Sequence, residues 1–143
     1  MKDILTIVIA GVVLFIIDIV TSPPGYYNCL DPTTATAILL HHIINVYSQF
    51  GFLCSGFLLY GYLVTPLIVL LHWKTNNNKC ILTEYVNDKC GFPNTEYFRD
   101  LWYLVGLKRL KNYDTIHKTY LVVAWLVALV RVIVFKPVFL SLR

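Results

Sequence analysis

Residues 33–73 read TTATAILLHHIINVYSQFGFLCSGFLLYGYLVTPLIVLLHW and contain no Asp, Glu, Lys or Arg. A continuous helix over this stretch would extend about 60 Å, which is twice the hydrocarbon thickness of a bilayer. The stretch must therefore bend or break within the membrane or at its surface.

Three residues in this stretch are candidate break points: Gly56, Gly61 and Pro66. Glycine and proline interrupt helices more readily than other residues, and we place the turn within residues 59–65. Asp31 followed by Pro32 is typical of a helix start, with Asp as the cap and Pro at the first helical position. The predicted helices cover about residues 33–57 and 60–73.

Two further apolar runs flank this stretch and predict membrane helices over residues 4–20 and 116–135. The apolar parts of these runs, residues 4–20 and 119–135, each reach roughly 25 Å as a helix, enough to cross a thin bilayer. Asp18 interrupts the first run, and Arg131 lies near the end of the second, where it can snorkel to the membrane surface. The two could also form an ion pair if they come to the same depth.

The composition agrees with a membrane protein, because 57% of the 143 residues are hydrophobic and only 14% are charged. Soluble domains contain about a quarter charged residues. The sequence predicts a single all-α domain over residues 1–143, a transmembrane helical bundle. The net charge is +4, and the basic residues lie beside apolar segments. This arrangement favours contact with lipid headgroups and not with nucleic acid.

A polar loop is predicted over residues 74–95, followed by an amphipathic helix over residues 96–110. The apolar side chains of this helix fall largely on one side, which is typical of a helix lying in the membrane interface. Three basic residues at its end are predicted to contact lipid headgroups: Lys108, Arg109 and Lys111.

The number of membrane spans depends on the turn within residues 33–73. A turn gives four spans, places the polar loops before residue 33 and after residue 73 on one side, and by the positive-inside rule makes that side cytoplasmic. A single bent helix gives three spans and lets Asp18 and Arg131 pair. We favour four spans, and a disulfide joining Cys29 to Cys80 or Cys90 would exclude three.

Five polar residues lie on one face of the predicted helix 33–57, within an arc of about 120°. They are His41, His42, Asn45, Ser48 and Gln49. We expect this polar stripe to face neighbouring helices and replacement of its histidines by Gln to be tolerated. Two alternatives remain open: the stripe lines the pore of an oligomeric channel, or its histidines bind haem together with His72 or His117.

Cys80 and Cys90 lie in the predicted polar loop and could close a disulfide in an oxidising compartment. They could also remain free thiols or form a redox-active pair. The spacing matches no zinc motif, and the sequence contains no nucleophile motif, phosphate loop or paired carboxylates on one helix face. We therefore predict no catalytic residues, no metal and no cofactor, and hence no enzyme.

The segment LHWKTNNNKCILTEYVN, residues 71–87, follows the pattern HH-I-I-N-x-Y of residues 41–47. Over residues 38–105 the chain resembles a family of small polytopic membrane proteins from large double-stranded DNA viruses of algae and amoebae. The motif similar to that family is H-W-x-T-N-N-N-x-C-x-L-T, at residues 72–83. The resemblance implies a protein of a virion or viral factory.

These viruses carry an internal membrane beneath an icosahedral capsid, so the resemblance implies a minor capsid protein that links the two. The partners would then be the lipid bilayer and other membrane or capsid proteins, in a virion internal membrane or a host-derived endomembrane. The predicted partner contacts are Trp73, Lys74, Asn76, Asn77, Asn78 and Thr83. A channel and a haem or thiol redox protein are the alternative functions.

Overall fold

The computed structural model describes residues 2–22, 25, 28–92, 101–106 and 111–135, and these contain helices and no strands. The helices are α1 Lys2–Thr21, α2 Pro32–Phe50, α3 Gly56–Tyr62, α4 Thr65–Thr75, α5 Ile81–Cys90, α6 Leu101–Leu104 and α7 Tyr113–Phe135. A 3-10 turn at Gly51–Leu53 follows α2. The predicted all-α class is confirmed for these residues.

Three described segments are long and apolar enough to cross a membrane. They are α1, the α3–α4 segment Gly56–Thr75, and Tyr113–Val134 within α7. Helix α2 is of similar length, but its polar residues make it less apolar. It packs against α1, α4, α5, α6 and α7, which places it inside the bundle.

Helix α2 begins where the local chemistry predicts. The Asp31 side chain accepts a hydrogen bond from the backbone N–H of Thr34 at 2.7 Å, and Pro32 occupies the first turn. The cap satisfies a backbone donor that has no partner within the helix.

The chain reverses direction at residues 51–55, so the predicted turn at 59–65 is wrong. A Cβ on Gly51 would lie 2.3 Å from a Tyr62 ring atom and 2.8 Å from the Tyr47 ring. Only glycine allows the chain to pass between the two rings, and Gly56, with φ of +56°, starts α3.

A second break separates α3 from α4 at residues 63–64. Pro66 lies in the first turn of α4, where its missing N–H is tolerated. The indole N–H of Trp125 donates to the carbonyl of Leu63 at 2.7 Å, which satisfies a backbone group left over at the break. The predicted helix 60–73 is therefore split between α3 and α4.

The first residues of α1 lie at the same end of the bundle as the 51–55 turn. The Asp3 carboxylate accepts hydrogen bonds from the backbone N–H and the hydroxyl of Ser55, both at 2.7 Å. The guanidinium of Arg131 donates to the carbonyls of Phe52 and Cys54 at this end. Asp18 contacts His42 instead, so the Asp18–Arg131 ion pair that a three-span arrangement would allow is wrong.

A disulfide joins Cys29 to Cys90 at the opposite end of the bundle, with Cα atoms 5.0 Å apart. Cys80 is a free thiol, so the Cys80–Cys90 disulfide, one of the alternatives left open by the sequence, is wrong. The physical reason is α5, which forms within the predicted polar loop and separates its two cysteines by about 15 Å along the helix axis. Cys90 instead comes to the loop that precedes α2.

Asparagines end helix α4. Asn77 and Asn78 have φ of 50° and 60°, a left-handed conformation that Asn adopts more easily than most residues. The backbone N–H of Asn78 donates to the carbonyl of Trp73 at 2.7 Å, as in a Schellman motif. This turn directs the chain into α5.

Helix α5 packs its apolar face on the bundle. Val86 is fully buried against Ala37 and Ile38 of α2. Most of the predicted interfacial helix 96–110 lies outside the described residues, which include only α6 and the two residues after it. Lys108 and Arg109 also lie outside them, and Lys111 is exposed.

Candidate functional site

The predicted polar stripe faces the interior of the bundle. His42, Asn45, Ser48 and Gln49 are buried, and His41 is half-buried. Apolar residues on the other side of α2, including Leu40 and Ile44, are exposed. Helix α2 thus turns its polar side chains toward other helices of the same chain.

His42 contacts the carboxylate of Asp18 in α1. The imidazole Nε2 lies 3.1 Å from Asp18 Oδ2, and both side chains have 0% exposure. The Ser22 hydroxyl donates to the Asp18 backbone carbonyl at 2.6 Å and lies 3.5 Å from Oδ1. The pair joins α1 to α2.

An ionisable group away from water costs several kcal/mol unless a partner compensates it. Asp18 and His42 provide that compensation for each other, on two helices joined by a short loop. Sequence reasoning located both residues but not the contact. The contact could have been predicted from one feature of the sequence, because two consecutive apolar helices each contain an ionisable residue, Asp18 and His42.

Gln49 and His117 form a second polar contact, between α2 and α7. The Gln49 side-chain amide donates to His117 Nε2 at 2.6 Å, which places the proton of a neutral ring on Nδ1. That atom lies 3.1 Å from the hydroxyl of Tyr113. The Tyr120 hydroxyl donates to the Gln49 backbone carbonyl at 2.6 Å.

Aromatic rings surround His117. The ring centroids of Trp73 and Trp102 lie 5.1 Å and 5.8 Å from that of His117, and Tyr113 lies at 5.4 Å. Trp73 is on α4 and Trp102 on α6, so His117 joins three helices around the end of α2. Sequence reasoning considered His117 as a haem ligand or as part of a proton path, and did not predict that it joins helices.

The remaining histidine near a helix end, His72, has a different role. Its Nε2 accepts a hydrogen bond from the backbone N–H of Ile81 at 3.1 Å, which satisfies a donor in the first turn of α5. His42, His72 and His117 therefore each bond a different part of the chain. Within the described ranges, no group of three or more His, Cys, Asp or Glu could hold a metal ion.

Four of the six predicted partner-contact residues are engaged inside the chain. Trp73 contacts His117, and Thr83 is buried. Asn76 donates to the Glu84 carboxylate at 2.6 Å, and Asn78 accepts from Lys118 at 2.8 Å. Lys74 and Asn77 are exposed. The surface available to a partner is therefore smaller than predicted.

Comparison with known proteins adds no relative. No protein-family model, curated protein or solved structure matches this chain. The viral resemblance of residues 38–105 consequently stays a prediction.

Proposed function

We propose that this protein is a structural membrane protein that crosses the bilayer four times and anchors an overlying protein at the disulfide-bonded end of its bundle. The observation that carries the proposal is that polar side chains of α2 bond to α1 and α7 of the same chain. The outer faces of the bundle are apolar and exposed, as at Ile9, Ile68 and Ile133. Such a bundle keeps its polar side chains between its own helices and presents hydrocarbon to lipid.

The fourth span is α2. Its polar face turns inward, so its lower apolar content is compatible with a position in the membrane. The Cys29–Cys90 disulfide joins the loop before α2 to the end of α5, and no disulfide could form if a membrane separated those cysteines. The Asp3–Ser55 contact likewise brings the start of α1 to the α2–α3 turn. Both contacts support four antiparallel crossings.

The disulfide-bonded end is held in one conformation by several independent contacts. In addition to the disulfide, Asn76 bonds Glu84, Lys118 bonds Asn78 and His72 caps α5. A surface that is already ordered loses little conformational entropy when a partner binds. Its exposed charged side chains include Lys74, Asp88, Lys89 and Lys111. These features support a docking role.

The partner that we propose is another membrane or capsid protein. The resemblance of residues 38–105 to viral membrane proteins supports an internal membrane of a large DNA virus as the location. The exposed charges of the docking end have both signs, because Asp88 lies beside Lys89, which suits a protein surface better than nucleic acid.

An oligomeric channel is less well supported by this geometry. The stripe residues His42 and Gln49 bond Asp18 and His117 within one chain. Lining a pore between subunits would require them to leave these contacts. A thiol redox pair is also less well supported, since Cys80 and Cys90 lie at opposite ends of α5.

Site-specific photocrosslinking in infected or expressing cells tests the anchoring role. A photoreactive amino acid at Lys74 should yield protein adducts, because this side chain lies at the proposed docking end. The same group at Ile68, exposed on the same helix, is the matched control and should yield lipid adducts. Lipid adducts at both positions, or protein adducts at Ile68 alone, would contradict the proposal.

A further inference from the structure

Among the buried polar atoms of α2 that have no hydrogen-bond partner in the described residues are three from the polar stripe. They are His42 Nδ1, Asn45 Oδ1 and Gln49 Oε1. His42 and Gln49 are both fully buried, and each uses its other polar atom, on Asp18 and His117 respectively. Two of these three atoms therefore belong to the side chains that form the polar contacts of the bundle core.

These three residues lie on one strip of α2. Their spacing of i, i+3 and i+7 places them within an arc of about 60° and over about 10 Å of helix axis. Residues three or four apart on a helix are neighbours, so Asn45 stands between His42 and Gln49. Small molecules that bridge Asn45 to each of its two neighbours would therefore connect the three side chains.

Each buried polar group without a partner costs about 1–3 kcal/mol. Native proteins avoid this cost by placing water at polar sites, where each buried molecule typically makes about three hydrogen bonds. The amide oxygens of Asn45 and Gln49 accept hydrogen bonds, and an imidazole nitrogen either donates or accepts according to its tautomer. Water can bond all three atoms because it both donates and accepts.

We propose that ordered water molecules occupy this strip and link the Asp18–His42 pair to the Gln49–His117 pair. The ligand is water, held by His42, Asn45 and Gln49. Ser22 lies beside Asp18 at the disulfide-bonded end, and Tyr113 lies beside His117 near the start of α7. The result is a hydrated hydrogen-bonded chain inside one protomer, which is independent of the anchoring role.

Water-edited solid-state NMR on the full chain in lipid vesicles tests this proposal. Magnetisation starting on water should reach the 15N-labelled His42 ring several-fold faster than the methyl group of Ala128, which is fully buried in an apolar cluster. The His42 signal is identified by its loss in His42→Gln. Transfer to His42 as slow as transfer to Ala128 would overturn the proposal.

Two variants on α2 distinguish water bound at the strip from water distributed throughout the bundle core. Asn45→Leu removes a water ligand and should slow transfer to His42. Ser48→Ala is the control and should leave it unchanged, because the Ser48 hydroxyl already donates to the backbone carbonyl of Asn45 at 2.9 Å. Equal transfer in both variants would contradict the proposed site. If Asn45→Leu does not fold, the comparison of His42 with Ala128 in the unmodified chain still tests the proposal.

Discussion

The central side-chain contact of the bundle is the one between Asp18 and His42. Both side chains have 0% exposure, so each depends on the other for compensation. The polar stripe itself followed from sequence periodicity, because the 3.6-residue repeat fixes which side chains share a face. The partner of each stripe residue did not follow, since it depends on how α1 and α7 dock against α2.

Replacing His42 by Leu should destabilise the bundle by about 3–5 kcal/mol, because it removes the imidazole that compensates the buried Asp18 carboxyl. The double variant Asp18→Leu with His42→Leu should recover most of this loss, since the buried carboxyl is then removed as well. The measurement is the melting temperature in detergent micelles.

His41→Gln is the matched control for that series. His41 is half-buried and adjacent in sequence, so the change should have a small effect. The structure thus separates two histidines that sequence reasoning treated alike. Equal stability of the His42→Leu and His41→Gln variants would show that the Asp18 contact is not needed.

The close approach of α1 and α2 depends on Gly11. A Cβ at this position would lie 2.5 Å from Ile43 Cγ1 and 3.0 Å from its Cα. Gly11→Leu should therefore destabilise the bundle by about 1–3 kcal/mol through overpacking. Val13→Leu, on the exposed side of the same helix, should have little effect in the same melting experiment.

At the element scale, local chemistry determined the start of α2 but not its end. Asp31 and Pro32 are sufficient to start the helix, and both are visible in the sequence. The end at Phe50 depends on Gly51 passing between Tyr47 and Tyr62, which is a tertiary contact. Helix α5 was not predicted, because it too depends on a tertiary contact. Its stability comes from the packing of Val86 on α2 and not from the helix propensity of its residues.

The Asp31 cap should be sensitive to acid. The backbone N–H of Thr34 hydrogen-bonds the carboxylate and holds the pKa of Asp31 below its ordinary value. The cap therefore stabilises the fold above the unfolded pKa, and this contribution is lost as pH falls through the lower folded pKa.

Asp31→Ala should lower the melting temperature at neutral pH, whereas Asp31→Asn should retain most of the cap. The difference between the unmodified chain and Asp31→Ala should shrink on acidification, as measured by melting curves over a pH series. A difference that stays constant through the acid range would show that the Asp31 charge contributes nothing.

At the scale of the whole molecule, the Cys29–Cys90 disulfide fixes the end that we propose for docking. Under the chain-entropy model, a link between residues 61 positions apart contributes about 4 kcal/mol. Cys29→Ser and Cys90→Ser should each lower the melting temperature and abolish the mobility shift on non-reducing gels. Cys80→Ser should change neither, because Cys80 is a free thiol. Loss of the mobility shift in Cys80→Ser would show that Cys80 forms a disulfide, as in the Cys80–Cys90 alternative.

The disulfide also bears on orientation in the membrane. Disulfides form in oxidising compartments, so the disulfide-bonded end should face away from a reducing cytosol. The positive-inside rule favours the opposite orientation, since eight of the twelve Lys and Arg residues lie between residues 74 and 118 of the sequence. We give the covalent link more weight, because the charge rule is statistical and tolerates exceptions.

Protease protection of tagged chains in sealed membrane vesicles tests the four-span bundle most directly. Short cleavable tags would be inserted at Gly25, at Asn112 and ahead of Met1, one per chain, with membrane rupture as the control for tag accessibility. A four-span bundle places the tags at Gly25 and Asn112 on one side of the membrane and the tag ahead of Met1 on the other. Tags at Gly25 and Asn112 on opposite sides, or cleavage of all three in intact vesicles, would contradict it.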